Sequence, residues 1–262
     1  MRRRRPSTAL TATNAARARM HHRFAQLLLL LGARGCSALL VHGSAAAAAR
    51  RLSRRGLTSD YVEELFDGFA ESFEDQLALL EYAAPARIAE AARERSAARG
   101  AAYGPCLDAG CGTGLLGPPL LPSLEGPLVG ADLSENMVAR AEALATDDGA
   151  KVYDDLAVGD LNDAAFYDAL AHGPYDLVAA ADVLCYFGDL DTVLRLWAAH
   201  TAPGGDAIFS CERVVDDDFD GDWKLGPSGR YAHRPASAFD DRSCFLSNSR
   251  LEFTENRSCR SW

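Results

Sequence analysis

Asp108, Gly110, Gly112 and Gly114 stand at alternate positions and are the most chemically informative residues of this chain. They lie in Pro105-Cys106-Leu107-Asp108-Ala109-Gly110-Cys111-Gly112-Thr113-Gly114, which reads as the end of a buried strand followed by a turn. Glycines at every second position adopt positive φ without a Cβ clash and let a bulky ligand lie against the backbone. Ala109, Cys111 and Thr113, between them, join the candidate lining. A helix starting at such a turn would aim its free N–H groups and positive dipole end at a negatively charged group. Asp108 adds a carboxylate beside the same crevice. That charge repels a phosphate and attracts a ligand carrying an ammonium and a sulfonium. The spacing is G-x-G-x-G behind an acid, not the G-x-G-x-x-G of dinucleotide folds.

Further acids stand where further strands should end. Pro127-Leu128-Val129-Gly130-Ala131-Asp132 reads as a second strand, its acid eighteen residues after Gly114. A carboxylate there can accept both ribose hydroxyl hydrogens of a nucleoside. Ser134 then caps a helix over 135–144 with an acid in its first turn. Tyr153–Leu161 gives a third strand ending at Asp160, and Tyr175–Ala181 a fourth that is apolar after Asp176, as a central parallel strand should be. A helix over 190–200, the turn Ala202-Pro203-Gly204-Gly205 and a strand over 206–211 follow. Upstream, Tyr61, Leu65, Phe66, Phe69 and Phe73 recur at helical spacing within 61–91, and 83–98 reads as a second helix. Pro118-Pro119 follows the glycine turn closely, so the first helix of the sheet must be short, kinked or restarted after Pro119.

In this order the motifs resemble those of class I S-adenosylmethionine-dependent methyltransferases, whose first motif has the form seen at 108–114. The resemblance covers 59–233 and implies an α/β, Rossmann-like doubly wound sheet, mostly parallel, with helices on both faces and S-adenosylmethionine at the strand C-termini. By the same resemblance Leu133 and Met137 pack on the adenine, Asp160 meets its amino group, and Leu161 its ring edge. Ala181 and Asp182-Val183-Leu184-Cys185-Tyr186-Phe187 match the fourth motif, which closes over the methionine end. Phe66–Glu74 resembles a lid helix over the cofactor. Trp223–His233 lies where such enzymes carry acceptor contacts and is similar to a segment of bacterial methyltransferases described alongside TPR repeats. Asp182, Tyr186, Tyr231 and His233 are the candidate catalytic groups. A loop histidine with its hydrogen bonds satisfied is the competing reading of His233. No nucleophilic cysteine or serine and no metal is implied.

Charge and composition bound the partners. Residues 1–59 hold twelve Arg and no Asp or Glu, which leaves the rest of the chain with 15 basic and 37 acidic residues. Its net charge of −22 repels a phosphate backbone, so nucleic acid is not an expected partner and a small-molecule acceptor is. The seven cysteines contain no C-x-x-C pair and no Cys/His metal spacing. Those at 106, 111, 185 and 211 sit where a small buried hydrophobe fits, as reduced thiols. The acid-free 1–58 segment has the composition of an organellar transit peptide, for mitochondrion or plastid, and Arg2–Arg5 before an apolar run also fits a secretory-type signal. The run Phe24–Leu31 is too short to span a bilayer. A disordered extension of a mis-assembled gene is the plainest reading, under which the protein is cytoplasmic.

The tail is the weak point of the resemblance. The fold normally closes with a helix and an antiparallel strand pair, but 234–262 is short, polar and holds one strand candidate, at 250–254. The C-terminal β-pair is expected to be missing or incomplete, as in a truncated or misspliced chain. That defect and Pro118-Pro119 are what favour a non-catalytic cofactor-binding or scaffold protein; Gly110-Cys111-Gly112 with Asp132 is what favours an NAD-dependent dehydrogenase. The targeting reading predicts that deleting residues 1–58 changes where a fluorescently tagged protein is found in the cell. An unchanged distribution refutes it.

Overall fold

The structure, a computed structural model, describes residues 57–68, 82–214, 219–226, 228–234, 244–247 and 250–253. The described residues within 57–225 and 231–262 form one compact unit. Of the other, only 226 and 228–230 are described, a turn closed by the Gly226 N–H on the Arg230 carbonyl at 2.8 Å. The apolar helix positions Phe69 and Phe73 and the leader at 1–56 lie outside the described residues.

Short apolar runs ending near acids become strands because burial on both faces leaves no room for polar side chains. They are β1 (Cys106–Ala109), β2 (Leu128–Asp132), β3 (Asp155–Val158), β4 (Tyr175–Ala180) and β5 (Thr201–Phe209). The helices are α1 (Ser59–Asp67), α2 (Ala84–Arg99), α3 (Gly117–Leu120, continued by a 3-10 turn Leu121–Ser123), α4 (Glu135–Glu142), α5 (Ala164–Ala169) and α6 (Asp191–His200). A separate antiparallel pair joins β6 (Trp223–Leu225) to β7 (Tyr231–His233), and the chain ends with β8 (Cys244–Ser247) and β9 (Arg250–Phe253).

The sheet order is β3-β2-β1-β4-β5-β8-β9, with β1 to β5 parallel and the last two antiparallel to their neighbours. The fold is Rossmann-like and doubly wound. The order reverses between β1 and β4, so the crevice for a ligand opens at the C-terminal end of β1. Successive residues feed opposite faces. Cys106, Leu128, Leu177, Ala179 and Ile208 join one core cluster with Ile88, Ala92 and Leu120. Leu107, Val129, Val178, Ala180 and Phe209 join the other with Tyr167 and Trp197.

Several expectations change. The C-terminal β-pair is not missing: β8 pairs with β5 from Asp206↔Ser247 to Phe209↔Cys244, and β9 covers β8. Two four-residue runs separated by two residues are enough for a hairpin, which supplies partners to the otherwise bare edge of β5. The prolines are accommodated because Pro118 falls in the first turn of a four-residue helix, where no backbone donor is lost. That helix begins at Gly117, three residues past the glycine turn, and is too short to aim a helix dipole at a ligand there. Pro203-Gly204-Gly205 does turn the chain, but within β5: Thr201 pairs with Tyr175, Asp206 with Leu177, and the residues between bulge out around Gly204 at φ 82. Cys106, Cys111 and Cys185 are buried, whereas Cys211 is exposed because β5 stops at Phe209.

At the opposite end from the crevice, Asp206 anchors α2 to the sheet. It is buried, accepts from the Tyr103 hydroxyl at 2.6 Å and from Arg95 Nη2 at 2.8 Å, and Arg99 stands 4.0 Å away. Removing Asp206 leaves the buried Tyr103 hydroxyl without its acceptor and two part-exposed arginines without this carboxylate. Asp206→Ala is therefore expected to cost about 1–3 kcal/mol of stability, read from the urea midpoint. A change below about 0.5 kcal/mol, the range of neutral surface substitutions, rejects the anchor.

Candidate functional site

The glycine turn is fastened to the strand beside it. Gly110 and Cys111 donate their N–H groups to the Ala131 carbonyl at 2.7 and 3.0 Å, and Gly114 donates to Cys111 at 2.9 Å. The Gly112 N–H goes to Asp132 Oδ2 at 2.8 Å, while Asp132 Oδ1 accepts from the Ser134 N–H at 2.9 Å. Gly110 (φ 79) has no room for a side chain, because a Cβ would lie 2.4 Å from Val183 Cγ2. Gly112 (φ 54) differs: an added Cβ would meet nothing within 4 Å. One glycine is required by packing and the other faces open space.

The turn carries negative charge at its root. Asp108 is 1% exposed and accepts from the Tyr153 hydroxyl at 2.7 Å through Oδ2. Asp108 Oδ1 and the hydroxyl of Thr113 are buried and have no hydrogen-bond partner among the described residues. Burial pushes the Asp108 carboxyl up to about 7, with Tyr153 pulling the other way and Asp132 adding to the rise. Burial also raises Asp132 above the usual carboxylate range, against the three backbone N–H groups of Ser134, Gly112 and Leu133. The N–H groups of Gly110, Cys111, Gly112 and Gly114 thus already have acceptors, while Asp108 Oδ1 is an acceptor without a donor among the described residues. Such a site suits a ligand that brings hydroxyls and positive charge, and it is a poor cradle for a pyrophosphate.

Helix α1 lies over this crest and is held by side chains from three strand ends. Ser59 Oγ donates to Asp160 Oδ2 at 2.6 Å, and Asn162 N–H to Oδ1 at 2.8 Å. At its other end Asp67 accepts from Ser134 Oγ and from the Asn136 N–H. Phe66 meets Tyr186 edge-on with ring centroids 5.2 Å apart. The Leu57 N–H, just before the helix, donates to the Tyr231 hydroxyl at 3.0 Å.

On the fourth-strand side, Asp182 adopts φ 58, unusual for a residue with a side chain. Ser210 Oγ holds it there by accepting from the Asp182 N–H at 2.7 Å and donating to Oδ1 at 2.9 Å. His233 is buried, and its Nε2 donates to the carbonyls of Phe187 and Gly188 at 2.9 and 3.1 Å. Its Nδ1 therefore accepts, and the Cys211 thiol is 3.2 Å away. Burial lowers the His233 pKa, the carbonyls opposing.

The crest brings Asp108, the residues from Ala109 to Gly114, Asp132 and Leu133 together around one crevice opening. Met137 and Leu161 lie buried beside it, Leu161 in the second core cluster. Ala181 sits one residue past β4, whose Ala179 pairs with Asp108. Asp182, Tyr186, Tyr231 and His233 form a second group around the 183–188 loop and β7. Sequence reading missed Tyr153, Ser59 and Ser210 as site residues. Each reaches its partner across a long stretch of chain, and no local spacing marks it.

Residues 107–207 match the family described as methyltransferase domain. No curated protein matches the chain. Among solved structures, it is similar to an S-adenosylmethionine-dependent methyltransferase from Mesorhizobium loti (27% identity over 43% of this chain and 48% of that one, TM-score 0.35). It is also similar to the N-methyltransferase NodS from Bradyrhizobium japonicum in complex with S-adenosylhomocysteine (23%, 46% and 62%, TM-score 0.35). A third is an S-adenosylmethionine-dependent methyltransferase from Clostridium acetobutylicum (21%, 60% and 64%, TM-score 0.41). The chain spans between 48% and 64% of the length of these three, and no acceptor or partner passes from them to this protein. The matched segment is similar to a methyltransferase domain and runs from β1 into β5.

The buried Asp108 has a consequence for stability. Its folded pKa, about 7, lies above the ordinary 3.8, so the contribution is full below the ordinary value and lost as pH rises to about 7. Asp108→Asn should remove that loss. Between pH 4 and 8 the wild type is expected to lose more stability than the variant, by up to about 4 kcal/mol. Parallel curves of urea stability against pH would reject the burial of an ionising Asp108.

Proposed function

We propose that this protein transfers the methyl group of S-adenosylmethionine to a small-molecule acceptor. The observation that carries the reading is the crest at β1 and β2: a turn whose Gly110, Cys111, Gly112 and Gly114 N–H groups have acceptors within the protein, beside the Asp108 Oδ1 and Thr113 hydroxyl, which have no partner among the described residues. These residues fit the cofactor. Asp108 offers an acceptor to its cationic part, and open space at Gly112 lets a ligand lie on the backbone. Asp132 uses one lone pair of each oxygen on Gly112 and Ser134 and keeps the others for ribose hydroxyls. Leu133, Met137, Asp160 and Leu161 supply the adenine side, and Ala181 with the 182–187 loop the methionine side.

When bound, S-adenosylmethionine supplies a methyl group already activated on a sulfonium. The protein's own work is to bind, align and exclude water. Helix α1 does the last, tied to Asp160 and Ser134 at the crest. An acceptor that must lose a proton needs a base, and Asp182, Tyr186, Tyr231 and His233 are the groups on that side. His233 at neutral pH is uncharged, with Nδ1 the basic nitrogen. The exposed Trp223, edge-on to Tyr231 at 5.2 Å, gives this side an apolar surface suited to a small organic acceptor. The acidic body argues against nucleic acid, and the acid-free composition of the leader supports a mitochondrial or plastid location. The C-terminal pair is in the sheet and the prolines are in a first turn, so neither remains as support for a non-catalytic scaffold.

Calorimetric titration of the full chain with S-adenosylhomocysteine, with NAD in parallel, tests the reading. Binding of the former alone is expected. Asp132→Ala should weaken it by ~1.5–3 kcal/mol, the worth of hydrogen bonds to a charged group. A loss below about twofold removes Asp132 from the ribose contact, and binding of NAD alone overturns the proposal.

A further inference from the structure

A tyrosine outside the glycine turn completes the carboxylate with which the turn begins. Tyr153, two residues before β3, is 3% exposed. Three glycines from three segments leave the volume that its ring occupies. A Cβ on Gly114 would stand 3.0 Å from Tyr153 Cε2, one on Gly117 2.8 Å from the hydroxyl oxygen, and one on Gly130 3.0 Å from Cδ1. The end of the turn, the start of α3 and the middle of β2 thus form a slot. The hydroxyl emerges from it 2.7 Å from Asp108 Oδ2. The other oxygen of that carboxyl, Asp108 Oδ1, has no hydrogen-bond partner among the described residues.

We propose that Tyr153 is a positioning residue of the cofactor site: its hydroxyl clamps one oxygen of Asp108, fixes the carboxyl rotamer, and readies the other oxygen for the cationic part of the ligand. This rests on the cofactor reading of the same site. The ionisable groups facing Asp108 are Asp132 from β2, Cys111 from the turn, Cys106 from β1 itself and Tyr153 from the segment before β3. Its register partner on β4 is Ala179, which does not titrate. Of these, Tyr153 favours the carboxylate, whereas burial and Asp132 oppose it. A phenol at this position is therefore the protein's lever on the charge state of Asp108. A Cβ at Gly114, Gly117 or Gly130 would also meet Leu144, Val152 or Leu156, at 2.6, 2.6 and 2.5 Å, so Tyr153 shares its slot with these three side chains.

Tyr153→Phe keeps the ring in the slot and removes only the hydroxyl. In the ligand-free full chain, the Asp108 carboxyl carbon followed by 13C NMR, assigned with Asp108→Asn, should titrate about one pH unit higher in Tyr153→Phe than in wild type. By calorimetry, S-adenosylhomocysteine should bind wild type more tightly as pH rises through that titration. The variant should follow the same curve displaced upward, and be about fivefold to tenfold weaker at pH 7. An unmoved carboxyl midpoint, or an undisplaced binding curve, overturns the proposal. A moved midpoint with no binding by either protein sinks the cofactor reading and leaves the clamp standing. If Tyr153→Phe does not fold, Asp108→Asn decides: it keeps an acceptor for the Tyr153 hydroxyl, and its affinity should have lost the pH-dependent step. An Asp108→Asn protein that retains the step overturns the proposal as well.

Discussion

Two backbone N–H groups converge on the carboxylate of Asp132, one from Gly112 after β1 and one from Ser134 at the head of α4. The site depends on this meeting. It pulls the glycine turn over the end of β2, so that the first two strands and the helix after the second share one anchor. It holds only while Gly110 has no side chain, since any Cβ there collides with Val183 from the fourth-strand loop. Three parallel strands are thereby registered at their C-terminal ends by a single carboxylate and a single missing methyl group.

The same geometry sets the electrical character of the crest. Amide donors of the turn are turned inward to Ala131, Asp132 and Cys111, and the acids Asp108, Asp132 and Asp160 gather where the strands end. An anion would find few donors and much repulsion. A cationic ligand with hydroxyls finds acceptors held in place. Burial raises the affinity of Asp108 and Asp132 for protons, which keeps the empty crest from accumulating charge and couples ligand charge to proton release. Helix α1 then uses two further acids, Asp67 of its own and Asp160 of the sheet, as hydrogen-bond acceptors to lie across the opening.

The order of strands, the acids that end them and the glycine turn were legible in the sequence, because each depends on neighbours within a few residues. Cys106–Ala109 and Tyr175–Ala180 are apolar but for Asp108 and Asp176 and lie at the centre of the sheet; Asp155–Val158, with its mixed pattern, lies at the edge. The closing pair at 244–253 was not legible. Its two strands are short, and what makes them strands is the unpaired edge of β5, which local pattern does not display. The proline pair after the turn read as a disruption and is a helix first turn instead, since a four-residue helix and a 3-10 turn are the regular structure between the turn and the next strand.

Residue type and spacing by themselves determined that a carboxylate, a glycine-alternating turn and a second carboxylate eighteen residues on would meet at the ends of parallel strands. Strand alternation and right-handed crossovers leave little other choice. Only the tertiary structure decided which atoms of those groups are already engaged. Tyr153 reaches Asp108 across 45 residues, Ser59 reaches Asp160 across 101, and Ser210 reaches Asp182 across 28. Each of those bonds is made by packing that brings distant segments to within 3 Å, and a hydrogen bond carries no trace in sequence spacing when the chain between its partners is free to vary in length.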